Sequence, residues 1–184
     1  FDENGLSHEP MMADANPEAR LYECVLRAGA TWEPELFGFR EKIQMFFFTG
    51  GDGYIEAETQ VWNIEQGVFV PDYDRERIVI RAGDEDVHFL HIIGDLNDYD
   101  RKTMSRWCIK LPRFRNFEQC VQYTEGFTGD AGSNVKSHMV LEHEYLGRYS
   151  MGWNCGEGPT FIGTHVHEDL LQWYLNMPGS SFHY

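Results

Sequence analysis

Thr164-His165-Val166-His167-Glu168-Asp169-Leu170-Leu171-Gln172, closed by Pro178-Gly179, is the stretch whose reading decides the fold. As a pattern it is H-x-H-x4-Q-x6-G. Residues two apart on an extended strand point to the same face, so His165 and His167 would present two imidazoles side by side. Gln172 follows far enough on for the chain to bend and return a third side chain to the same point. Leu170 to Met177 is a near-continuous apolar run, which predicts a strand covered on both faces. Paired imidazoles in an apolar setting suit a divalent metal.

The rest of the chain bounds the possibilities. Its 184 residues allow one large or two small domains. Thirteen Phe, nine Tyr and five Trp are ample for a packed core. A net charge of −15 makes nucleic acid a poor partner. No apolar run reaches the roughly 18 to 20 residues of a membrane span, so no membrane association is expected and a cytoplasmic location is. Cys24, Cys108, Cys120 and Cys155 form no C-x-x-C pair. They read as free thiols rather than a structural zinc site. There is no P-loop, no G-x-S-x-G and no G-x-G-x-x-G before a helix.

Residues 1 to 20, polar with Pro10 and Pro17, read as an arm. Short strands then follow, separated by turns: 21–26, 42–49, 54–57, 60–64, 68–71, 77–81 and 87–93. Gly50-Gly51-Asp52-Gly53 and Glu65-Gln66-Gly67 are the clearest turns. Such a series predicts a β-sandwich or barrel. Residues 94–134 read as a connection, with a strand or short helix around Trp107. Pro112-Arg113-Phe114-Arg115 mixes basic and aromatic residues, but in so acidic a chain it reads as a salt-bridged loop. Met139–Leu146 and Tyr149–Trp153 are candidate strands leading to the His-x-His stretch.

The H-x-H-x4-Q-x6-G spacing resembles the first motif of the cupin superfamily, G-x5-H-x-H-x3,4-E-x6-G. Gln172 stands where that family usually has Glu, and Gly158 precedes His165 by one residue too many. The 21–93 block also resembles a cupin in its strand order and in Gly67-Val68-Phe69-Val70-Pro71. A shift of 128 residues lays Gln44 on Gln172 and Gly51 on Gly179. The two histidine positions then fall on Phe37 and Phe39, and the second-motif histidine on Glu76 or Arg77. The resemblance implies an all-β chain of two double-stranded β-helix (cupin) barrels in tandem. The first, residues 1–93, would be a degenerate barrel with an N-terminal arm, its metal site replaced by apolar bulk. Residues 94–134 would link it to the first part of a metal-binding barrel, 135–184. The family's third histidine would lie beyond Tyr184, so the second barrel is expected to be truncated here or completed by another chain.

For the second barrel the resemblance implies a divalent Fe, Mn, Ni or Zn ion held by His165, His167 and Gln172. A neutral ligand set leaves the full divalent charge on the ion and suits an anionic ligand. The expected function is a metal-dependent enzyme of dioxygenase, isomerase or lyase type, acting on a small anionic or oxygen-rich substrate. The competing reading is a non-catalytic small-molecule-binding or structural cupin domain. By strand alternation Tyr174 and Asn176 share the face of Gln172 and could line a substrate pocket, with His183 beside it. Trp173 falls on the opposite face as packing. Glu168, His138, His143, His88 and His91 read as structural or surface residues. A homodimer is the expected assembly.

Overall fold

The computed structural model describes residues 1–38, 41–72, 77–124 and 133–181. Leu6–Met11 (β1), Ala19–Leu26 (β2) and Thr31–Trp32 (β3) come first. Lys42–Gly50 (β4), Gly53–Ala57 (β5), Val61–Asn63 (β6), Gly67–Val70 (β7), Ile78–Ala82 (β8) and Val87–Asp95 (β9) follow. Then come the helix Asp98–Trp107 (α1), Arg113–Asn116 (β10), a 3₁₀ turn at Phe117–Gln119, Val121–Tyr123 (β11), Lys136–Leu146 (β12) and Tyr149–Cys155 (β13). The strands form an antiparallel six-stranded sheet ordered β1-β2-β9-β4-β7-β10, a four-stranded sheet β3-β8-β5-β6 and a three-stranded sheet β11-β12-β13.

The six-stranded sheet is apolar on both faces. Along β4, Phe46 and Phe48 point to one core, while Ile43, Met45 and Phe47 point to the other. Phe69 of β7 and Phe89 of β9 join the first set; Val68, Val70, Leu90 and Ile92 join the second. The first core lies between the six- and four-stranded sheets, where Ile55, Ile78 and Ile80 close it. This is the barrel interior. The second core is covered by Met104 of α1, Phe117, Cys120 and Val140, Leu141 and Leu146 of β12. Period-two alternation with both faces apolar is why Met45–Phe48 of β4 reads as an unbroken apolar run.

The stretch expected as an arm supplies β1, which pairs with β2 from Leu6↔Leu26 to Met11↔Leu21. Pro10 is tolerated there because β1 is an edge strand whose outer side needs no donor. The stretch expected as a connection supplies α1 and β10, and β10 pairs with β7. Arg113 and Arg115 of β10 both bond Glu142 of β12, at 2.9 and 2.6 Å, the local salt-bridge role expected of them. The strands expected at residues 164–172 and 170–177 do not form. Residues 156–181 have no strand pairing, and among them only Trp173 and Met177 pack against the second core. A strand needs a partner for its backbone groups, and among the described residues no strand pairs with this segment.

One buried carboxylate fastens the second layer to the barrel. Asn97 and Asp100 form a capping box that starts α1. Asp100 is fully buried and also accepts from Arg148 N at 2.8 Å and from Arg148 Nε at 3.1 Å. Gly147, at φ +64°, lets the β12–β13 turn approach; a Cβ there would lie 2.5 Å from Asp100 Oδ1. Tyr149 then donates from its hydroxyl to the Asp95 carbonyl at 2.7 Å. Removing Asp100 leaves the backbone N–H groups of Asn97 and Arg148 without their acceptor. Asp100→Ala is therefore expected to cost about 1–3 kcal/mol in urea unfolding. Arg148→Ala should cost less, because Asp100 keeps its bonds to two backbone N–H groups.

Candidate metal centre

His165 and His167 come together. Their ring centroids lie 4.8 Å apart with the planes at 85°. The His165 ring is positioned by its own backbone: Nδ1 lies 2.8 Å from the Gly163 carbonyl oxygen, which can only accept. Nδ1 therefore carries the ring proton, and Nε2 carries the lone pair a metal would use. The pair is held by loop geometry rather than by a strand. His165 is partly exposed, while His167, Gln172 and Asn176 are exposed and Tyr174 is 49% exposed. Trp173 packs against the second core, although no strand is there to set it opposite Gln172. His183 lies outside the described residues. Among the described residues no group of three His, Cys, Asp or Glu side chains stands ready for an ion. The two imidazoles supply part of a ligand set, and their borderline nitrogen chemistry fits a first-row divalent metal rather than Mg or Ca.

The barrel interior holds a second polar cluster. Gln44 of β4 is fully buried and His91 of β9 is 5% exposed. The Gln44 amide nitrogen lies 3.0 Å from the Glu35 carbonyl and 2.8 Å from His91 Nε2. His91 Nδ1 lies 2.9 Å from Nε2 of His8 on β1. His91 stacks on Phe46 at 4.8 Å, and His8 on Tyr22 at 4.2 Å. Gln44, the residue that the 128-residue shift aligns with Gln172, thus faces an imidazole inside the barrel. Phe37 does not fill this space; its ring lies 5.1 Å from Lys42 Nζ. Phe39 and Glu76 lie outside the described residues. Arg77 is exposed and ion-paired with Glu33.

His91 is buried, as its structural reading implied, but its role in the cluster was missed. Val87, Phe89, His91 and Ile93 alternate along β9, which was signal enough to place the ring inside. His8 could not be linked to it, since the two are far apart in sequence and His8 sits in a segment read as an arm.

Burial holds His91 neutral, pushing its pKa down to about 3, with the neighbouring His8 adding to the effect. The folded state therefore binds fewer protons than the unfolded chain between pH 3 and the ordinary histidine value. Stability is full above about pH 6.5 and falls as the pH drops towards 3. The expected slope from this residue is at most about 1.4 kcal/mol per pH unit. Urea titrations at pH 7, 6 and 5 should show a shallower slope in His91→Phe, whatever its offset.

Comparisons with known proteins bear on the fold. No protein-family model and no curated protein matches the sequence. Similar solved structures include a cupin-2 domain of an XRE family transcriptional regulator from Enterobacter cloacae, at 14% identity and TM-score 0.44. That match covers 50% of this chain and 99% of the other. Ectoine synthase from P. lautus matches at 13% identity and TM-score 0.43, over 52% of this chain and 67% of the other. KdgF from Halomonas sp. matches at 14% identity and TM-score 0.43, over 53% and 87%. Each of these matches covers about half of this chain.

Proposed function

We propose that the chain carries a metal centre at His165 and His167, with the Gln172 amide oxygen as a further ligand, acting on a small anionic or oxygen-rich molecule. The observation that carries this reading is the paired imidazoles 4.8 Å apart, with the His165 tautomer set by Gly163. A first-row divalent ion (Fe, Mn, Ni or Zn) held there would supply Lewis-acid polarisation of a substrate oxygen. Gly163 holds the His165 ring so that Nε2 is the donor nitrogen. Gln172 contributes no charge, which leaves the site attractive to a carboxylate or enolate. Tyr174 and Asn176 offer a hydroxyl and an amide to orient that ligand by hydrogen bonds.

In this reading residues 1–93 form the barrel without a metal, residues 94–134 the connection, and 135–184 the metal-bearing unit of a homodimeric enzyme. The −15 charge favours a small-molecule partner over nucleic acid. No helix among the described residues is long and apolar enough to cross a membrane. A second reading, ligand binding or a structural role without turnover, is favoured by exposure. With His167, Gln172 and Asn176 open to solvent, water is not excluded from the site as catalysis prefers.

Elemental analysis tests the metal. The purified protein is expected to hold about one equivalent of a transition metal, and a His165→Ala/His167→Ala double variant none. Protein that stays metal-free after reconstitution with each of the four ions would overturn the proposal. In Gln172→Glu, metal binding should persist. Affinity for an added carboxylate should fall by about tenfold or more in calorimetry, because the new charge sits beside the ion.

A further inference from the structure

The chain of bonds in the first barrel has a fixed direction. The Glu35 carbonyl oxygen only accepts, so the Gln44 group that faces it must be the NH2. The second N–H of that amide then points at His91 Nε2, which must accept. His91 in turn carries its proton on Nδ1 and donates it to His8 Nε2. The bonds thus run from Gln44 through His91 to His8, and both imidazoles must be neutral. A proton on His8 Nε2 would set two N–H groups head to head across 2.9 Å.

His8 places that conflict on an edge of the barrel. Among the described strands β1 is paired with β2 alone, and His8 is its inward link to β9. Among the described residues, the groups that face His8 give a proton no partner. Tyr22 and Cys24 face it from β2, Trp32 from β3 and His91 from β9. The Cys24 thiol is pushed up to about 12 by burial and stays neutral. On the outer side Glu9 and Glu23 stand opposite each other. Burial lowers the His8 pKa, with Glu9 opposing, so the bonded strand resists the proton that the detached strand accepts.

We propose that β1 is an acid-released latch: a proton on His8 breaks its bond to His91 and lets Leu6–Met11 leave the β2 edge while the rest of the barrel stays closed. Release would bare the β2 edge and the Cys24 side of the interior.

Hydrogen exchange of the whole chain, read by mass spectrometry and corrected for intrinsic rates, tests this at pH 7 and pH 5. Protection of segments 6–11 and 21–26 is expected to fall severalfold at pH 5, because the detached strand takes up the proton that the bonded strand resists. Segment 43–48 should lose only what the His91 linkage takes from the whole fold. In His8→Gln the amide oxygen can accept from His91 but cannot titrate, so segment 6–11 should lose no more protection between the two pH values than segment 43–48 does. His8→Phe keeps the stack on Tyr22 and loses the bond, so 6–11 should be poorly protected at both. Unchanged protection in the wild type, equal loss in segment 43–48, or a wild-type pH response in either variant would overturn the latch.

Discussion

The six-stranded sheet cannot stand with either face in water. Phe46, Phe48, Phe69 and Phe89 need one cover, and Ile43, Met45, Phe47, Val68, Leu90 and Ile92 need another. Each buried side chain of this size is worth roughly 1.5–3 kcal/mol, so neither set can be left exposed in a domain whose net stability is about 5–15 kcal/mol. The four-stranded sheet meets the first need and makes a barrel. The second is met by α1 and β12, which makes the region after Asp95 part of the same folded body as the barrel.

The joint between the layers is small and polar, set within an apolar interface. Gly147 and Gly94 are the points of closest approach: one admits Asp100, the other the ring of Tyr149, which would lie 2.5 Å from a Cβ at Gly94. The apolar contacts supply the attraction and are forgiving of small slides. The Asp100–Arg148 bonds and the Tyr149 hydroxyl fix how the layers meet, because each requires a particular partner at a particular distance.

What could be read from the amino acids follows this division. β4 and β9 were legible because each carries apolar side chains that fall on both faces of a strand. β1 was not, since Pro10 and its polar neighbours form a strand only when β2 supplies the ladder. α1 was half legible: Asn97 and Asp100 spell a capping box, yet the stretch around them reads simply as polar. Leu170 to Met177 misled, because an apolar run says that a segment wants cover and not that a partner strand is present. The His165–His167 pair was legible as a local motif. The His8–His91–Gln44 cluster depends on three strands meeting, which spacing along the chain does not reveal.

The register of β9 also sets the order in which the molecule can be made. Ala19 pairs with Gly94 and Lys42 with Asp95, so the barrel wall stays open until residue 95 has left the ribosome. The outer cover waits for β12, which ends at Leu146, about 50 residues later and therefore on the order of several seconds at ordinary rates of synthesis. Through that interval a nascent chain carries a nearly finished barrel with one bare apolar wall. A wall bare of its cover for that time is open to contacts with other chains that the finished barrel excludes.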